Sequence, residues 1–223
     1  MAALHQQLVS NAVDQEQDRL LVGNRRRVLL STSTMSKVAI GGALAVAAVA
    51  APAFTRLAAA QEFTDDLDIL NYALTLEHLE FAFYRDGTAQ LSKSNFDAAV
   101  WDNLIRIRDH ESAHVDTLTS TITSLGGTPV KEQTYNFGYT DAKSFLMVAA
   151  ALENTGVSAY DGAGAAIKNV DLLNAAGTIV AVEARHASYL NLITGADPFP
   201  AAFETPKTRA EILKIAGPFI VSG

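Results

Sequence analysis

From Thr64 onward, apolar residues recur every three or four positions, the spacing that lines one face of an α-helix. Four such stretches are separated by breaks rich in Gly or Asn. Thr64 with Asp65 and Asp66 opens the first, because carboxylates favour the positive end of a helix, and Gly87 closes it. Ser94 or Asn95 opens the second, which runs to Leu125 and stops at Gly126-Gly127. Thr140-Asp141 opens the third, which fades near Lys168-Asn169, and Asp171 opens the fourth, which ends at Gly195. Strand-like alternation is scarce, so the pattern predicts an all-α domain.

Each helix carries a single stripe. The first reads Leu67, Leu70, Leu74, Glu77, Phe81, Tyr84, and the second reads Leu104, Ile107, Glu111, His114, Leu118, Ile122, Leu125. The third gives Leu146, Ala149, Glu153, Gly156, Tyr160, and the fourth gives Leu172, Ala176, Ile179, Glu183, His186, Leu190, Ile193. A stripe faces the core, yet every one of these holds a glutamate near its middle.

Between the second and third helices lie the 14 residues from Gly126 to Tyr139. Extended, they reach about 46 Å at ~3.3 Å per residue, close to the ~48 Å of a 32-residue helix. The segment is therefore long enough to cross the whole bundle, whereas the links after Gly87 and near Asn169 suit antiparallel hairpins. After Gly195 a tail with Pro198, Pro200 and Pro206 precedes a short helical piece around Arg209 to Ile215. Its Phe199, Phe203, Leu213 and Phe219 are expected to pack on the outside or end of the bundle.

Buried carboxylates are costly unless paired, hydrogen-bonded or bound to metal. Two of them about 4 Å apart repel by roughly 4 kcal/mol even at an effective dielectric near 20. No Lys or Arg lies on the stripes to neutralise Glu77, Glu111, Glu153 and Glu183. Two divalent cations would. Glu111-x-x-His114 and Glu183-x-x-His186 each place a carboxylate and an imidazole one helical turn apart, so that both grip one ion. Glu80, three residues after Glu77, is an alternative ligand to it. Tyr84 and Tyr160 each follow a stripe glutamate by seven residues, so the chain reads as two similar hairpins around a pseudo-twofold site. Both tyrosines, with Arg185, are candidates for contact with the ligands from outside. His78 and His110 read as surface or boundary histidines.

Composition narrows the chemistry. The chain has 223 residues, a net charge of -7, 49% hydrophobic residues and no Cys. The absence of Cys excludes thiolate metal sites and a cysteine nucleophile. An acidic chain lacks the basic face a nucleic-acid partner needs. The charge is uneven, however: residues 1–60 sum to +3 and residues 61–223 to -10. Arg25-Arg26-Arg27, the 16-residue uncharged run from Val38 to Ala53, and Ala58-Ala59-Ala60 follow the order of a secretory signal. With its paired arginines the segment resembles a twin-arginine signal, with Arg25 and Arg26 as the pair read by the twin-arginine export machinery. The run is short of the ~20 residues of a spanning helix, which makes an uncleaved membrane anchor the lesser alternative. The expected division is a signal at 1–60, a bundle at 61–195 and a tail at 196–223. The mature protein is expected to be exported to the periplasm or another extracytoplasmic space.

The ligand pattern resembles the ferritin-like superfamily of di-iron and di-manganese carboxylate proteins, and Glu183-Ala184-Arg185-His186 is similar to its E-x-R-H element. Leu76-Glu77-His78-Leu79-Glu80 with Phe83-Tyr84, and the tail from Pro200 to Pro206, resemble the exported ferritin-like family that includes desiccation-related proteins. Val182 stands where oxygen-activating members often carry Asp. The resemblance implies a four-helix bundle with one long crossover and a centre of two iron or manganese ions. Glu111 and Glu183 would bridge the ions, with Glu77 and Glu153 as terminal ligands and one histidine on each ion. Fold carries over from such a resemblance better than activity. Open coordination positions between the bridging glutamates make a non-haem oxidoreductase acting on peroxide, oxygen or ferrous ion in stress protection the leading expectation. A structural or desiccation-related metal protein and a metal store, which needs a cage-forming homo-oligomer, are the alternatives.

Overall fold

The structure, a computed structural model, describes residues 62–221. Arg25, Arg26, the apolar run and the small-residue site before Gln61 lie outside the described residues. Four long helices make up the domain: α1 (Asp66–Gln90), α2 (Ala98–Ser124), α3 (Ala142–Gly164) and α4 (Val170–Thr194). A short helix, α5 (Arg209–Ala216), follows in the tail. Two-residue strands β1 (Thr134–Tyr135) and β2 (Ile220–Val221) pair antiparallel. The expected all-α bundle is thus what the chain forms, and among the described residues no helix is long and apolar enough to cross a membrane.

Helix starts follow local capping chemistry. Asp65 caps α1 by accepting from Asp68 N at 2.9 Å, and Asp141 caps α3 by accepting from Ser144 N at 2.7 Å. Four boundaries differ from expectation. Ser94 and Asn95 do not open α2: Ser92 and Asn95 cap each other around a 3-10 turn (Lys93–Asn95), and α2 begins only after Asp97. Such side chains compete with the helix for backbone groups. Gly87 does not close α1 but lies inside it, where a Cβ would fall 2.1 Å from the ring of Phe145. Asn169, rather than Asp171, caps α4 by accepting from Asp171 N at 2.8 Å, and Asp66 accepts from Lys168 N and Asn169 N, which stops α3 early. Gly195 ends α4 in the left-handed region at φ 85°, as its residue type favours.

The segment after α2 is the single long crossover. It leaves α2 beside Leu67, where Gly127 packs on Leu67 and Ile122. Val130 N then donates to Asn71 Oδ1 at 2.8 Å, and His78 Nε2 lies 3.2 Å from the carbonyl of Val130. Farther along α1, Glu132 accepts two bonds of 2.9 Å from Arg85. The ring of Phe137 meets that of Phe83 edge-on at 5.1 Å. Phe83 in turn stacks on Phe145, in the first turn of α3, at 4.4 Å. The crossover thus travels the length of α1 and delivers α3 parallel to α2 and antiparallel to α1.

The tail docks through its backbone, α5 and Phe219 rather than through Phe199 and Phe203. Lys207 N donates to the carbonyl of Ser158, and Gly162 leaves room for the carbonyl of Lys207, which would lie 1.9 Å from a Cβ there. Arg209 pairs with Asp68 at 3.0 Å and lies over the rings of Phe63 and Tyr72 at 5.2 and 5.5 Å. Ile212 and Ala216 are buried and Phe219 packs near Phe137. Phe199 and Phe203, expected against the bundle, are instead 79% and 87% exposed, and Leu213 is 40% exposed. With the backbone anchored at Lys207, burial of the tail falls on α5.

Candidate metal centre

The stripes deliver their polar residues to one level of the bundle. Glu77 of α1, Glu111 of α2, Glu153 of α3 and Glu183 of α4 are each 0% exposed. His114 and His186, one turn after Glu111 and Glu183, are 12% and 6% exposed at their side chains. Two sets of donor atoms result. One atom each from Glu77, Glu111, His114 and Glu183 lies within 4.8 Å of the others, and so does one each from Glu111, Glu153, Glu183 and His186. Glu111 and Glu183 belong to both sets.

Most contacts within the cluster repeat about the pseudo-twofold, the exception being His114 Nδ1 to Glu111 at 3.1 Å, against 4.0 Å from His186 Nδ1 to Glu183. Tyr84 donates its hydroxyl to Glu153 Oε1 at 2.6 Å, and Tyr160 donates its hydroxyl to Glu77 Oε1. His114 Nδ1 lies 3.2 Å from Glu77 Oε2 and 3.1 Å from Glu111 Oε2, while His186 Nδ1 lies 3.2 Å from Glu153 Oε2 and 3.1 Å from Glu111 Oε1. Three buried carboxylate oxygens of the cluster have no hydrogen bond: Glu111 Oε1, Glu183 Oε1 and Glu183 Oε2. Glu111 Oε1 and Glu183 Oε1 lie 3.1 Å from a histidine Nδ1 but are misaligned for a hydrogen bond. Buried carboxylate oxygens without donors are costly, and a cation satisfies them. The donor set is oxygen and nitrogen only, which suits hard or borderline divalent ions.

Electrostatics follows from burial. Burial first, then the negative charge of Glu153, pushes Glu111 up to about 7, against the pull of His114 and His186. Glu183 is raised well above the usual carboxylate range, by burial and then by Glu153 and Glu111. Burial alone would lower the histidines, but their carboxylate partners outweigh it: Glu111, Glu183 and Glu77 push His114 up to about 12, and Glu111 and Glu153 push His186 up to about 9. Burial and the adjoining glutamates hold both tyrosine hydroxyls protonated, hence as donors. The cluster therefore retains protons when it holds no cation, and a cation would displace them.

Two residues add to the site and one leaves it. Glu80 is 3% exposed and enters neither donor set. Gly156 makes room for it, since a Cβ there would lie 2.9 Å from Glu80 Oε1 and 3.4 Å from Glu183 Oε2. Burial, then the charges of Glu183 and Glu153, keeps its carboxyl protonated well above the usual range. His110, read from the sequence as a surface or boundary residue, is exposed but touches the site: its Nδ1 lies 2.9 Å from His186 Nε2, with the two ring planes within 12° of each other. Burial first, then His186 and His114, lowers its pKa. Arg185 does not reach the ligands. Two residues beyond Glu183 it points about 200° away around the helix, and it lies exposed beside the groove that Tyr189 and Phe199 line.

A family model described as a ferritin-like domain matches residues 65–196. Among solved structures, a conserved hypothetical protein, rv2844, from Mycobacterium tuberculosis has a similar fold. The TM-score is 0.51 at 22% identity, over 68% of this chain and 99% of that one. No curated protein matches the chain.

Proposed function

The chain belongs to the ferritin-like domain family, and on that premise we propose that it is an exported protein whose cluster holds a carboxylate-bridged pair of iron or manganese ions. The pair would react with oxygen or peroxide in stress protection. The observation that carries this reading is the sharing of Glu111 and Glu183 between two donor sets, with three of their oxygens lacking any hydrogen bond. Charge supports two ions, because four glutamate carboxylates balance two divalent cations when Glu80 keeps its proton.

In this reading Glu111 and Glu183 would serve both ions, while Glu77 with His114 and Glu153 with His186 would each hold one. Tyr84 and Tyr160 hold the outer oxygens of Glu153 and Glu77, and so leave the other oxygen of each carboxylate turned to the cluster. Bound iron or manganese supplies electron transfer to or from a small oxidant. His114 and His110 mark the side of the cluster nearest solvent. Export rests on the signal-like segment with Arg25, Arg26 and the uncharged run, and on its resemblance to twin-arginine signals.

Metal analysis of the chain produced with its own N-terminal segment tests the reading. About two ions of iron or manganese per chain are expected. Turnover of hydrogen peroxide or ferrous ion, abolished by Glu111→Ala and by His186→Ala, supports the redox role. Bound metal with turnover of neither substrate points instead to a metal that only holds the bundle together, or to storage if the chain assembles into a cage. Unchanged metal content in both variants overturns the ligand set.

A further inference from the structure

The two halves of the bundle correspond residue for residue at the cluster: Glu77 with Glu153, Tyr84 with Tyr160, Glu111 with Glu183, His114 with His186. The tyrosine and histidine contacts correspond as well. Two contacts have no counterpart. His114 Nδ1 lies 3.1 Å from Glu111 of its own helix, whereas His186 Nδ1 lies 4.0 Å from Glu183. The other is at the outer nitrogen of His186. His110, directly before Glu111, places its Nδ1 2.9 Å from His186 Nε2, with ring centroids 5.1 Å apart and planes within 12°. The matching residue before Glu183 is Val182, which has no polar atom to offer His114. Among the described residues no hydrogen bond reaches His114 Nε2.

We propose that His110 is a positioning residue for His186, and that it makes the two cation positions unequal, the one built on Glu153 and His186 being the tighter. The proposal rests on the metal reading above. His186 turns Nδ1 to Glu153 and Glu111 and Nε2 to His110. An imidazole that gives one nitrogen to a cation keeps its proton on the other. An acceptor for that N–H fixes the tautomer and the ring orientation, and it makes the ligating nitrogen more basic. His110 Nδ1 is such an acceptor when His110 carries its own proton on Nε2. Because the two rings lie nearly in one plane, the contact is directed along the Nε2–H of His186 and restrains its rotation. The contact hides little of His110, which is exposed, so it contributes little as packing. His114 lacks this restraint and must be fixed by the carboxylates alone. Removing an outer partner of a ligating histidine ordinarily weakens metal binding about 10–100-fold.

Cobalt(II) titrated into the full chain after removal of metal tests this, read by the visible absorption of the bound ion. Wild type is expected to bind two ions with distinct constants. Anomalous scattering from crystals at one equivalent should place the first beside His186. His110→Leu keeps bulk and helix propensity without an acceptor, and should weaken only the tighter step, about 10–100-fold. His110→Ala should do the same. His110→Asn, whose Oδ1 branches from Cγ as Nδ1 does, should restore it. Equal constants in wild type, a first ion beside His114, unaffected binding in His110→Leu, or an Asn variant no better than Leu each overturn the proposal. Wild type that binds no cobalt overturns the metal reading itself, and this proposal falls with it.

Discussion

The hydroxyl of Tyr84 on α1 reaches the carboxylate of Glu153 on α3 at 2.6 Å, joining residues 69 positions apart inside the bundle. Tyr160 returns the same bond to Glu77. Each tyrosine serves the glutamate of the opposite half. Replacing either by Phe removes one donor from a buried carboxylate, at a cost of about 1–3 kcal/mol. Tyr84→Phe and Tyr160→Phe should therefore lower the unfolding temperature by similar amounts. They should also weaken metal binding to similar degrees, as measured by calorimetry and equilibrium dialysis. A large disparity between the two would show that the halves are not equivalent at this contact.

Glu80 behaves as a neutral acid. Its carboxyl is held protonated by burial and by the surrounding glutamates, so Glu80→Gln replaces one neutral group with another of the same shape. Metal content should be unchanged and the unfolding temperature of the stripped protein should move by less than about 4 °C. Glu77→Gln, by contrast, replaces a carboxylate donor of one set with an amide and should lose metal at least tenfold. If Glu80→Gln strips the metal as Glu77→Gln does, Glu80 is itself a ligand.

Two glycines make a matched pair for stability. At Gly162 an added Cβ would lie 1.9 Å from the backbone carbonyl of Lys207, which cannot rotate away. At Gly177, an exposed position in α4, it would meet nothing within 4 Å. Ala gains up to about 1 kcal/mol of helix propensity at either site. Gly177→Ala should therefore raise the unfolding temperature. Gly162→Ala should lower it by the equivalent of about 1–3 kcal/mol, because the overpacking outweighs the propensity. Limited proteolysis should then cut the tail of Gly162→Ala first.

Metal-free protein should lose stability as pH rises. Glu111 moves from 4.5 to about 7 on folding, and His186 from 6.5 to about 9. In both cases the folded chain binds the proton more tightly than the unfolded one. The stabilisation is then complete below the unfolded value and is gone above the folded one. Glu183, raised in the same direction, adds to the trend. Across roughly pH 4.5 to 9 the stripped protein should therefore melt at progressively lower temperature. The metal-loaded protein, which needs those same groups deprotonated, should gain on it throughout. Parallel melting curves of the two forms across this window would contradict the cluster's proton-for-cation exchange.

The parts of the fold that read directly from the sequence are those fixed by helical period. Glu77, Glu111, Glu153 and Glu183 fall on stripes whose spacing leaves one orientation for each helix, and the length of the Gly126–Tyr139 segment allows a crossover. Helix ends were less legible. Asn95 serves a local 3-10 turn and Gly87 serves the ring of Phe145, a partner 58 residues away. Phe199 and Phe203 show that apolar character alone does not say which tail residues find a surface, since Lys207 and Arg209 decide where the tail is held. His110 lies off the stripe of α2. Only the placement of α4 brings His186 Nε2 within its reach.

The two donor sets divide their ligands unevenly between the hairpins. Glu77, Glu111 and His114 come from the first hairpin and only Glu183 from the second, while Glu153, Glu183 and His186 come from the second and only Glu111 from the first. Either hairpin by itself is one donor short at its own cation position, and the missing donor is the other hairpin's shared glutamate. Exchange of that one residue in each direction makes a loaded cluster a fastener between the halves. A chain whose hairpins dock out of register by a single turn would present two three-donor sets, neither of them closed.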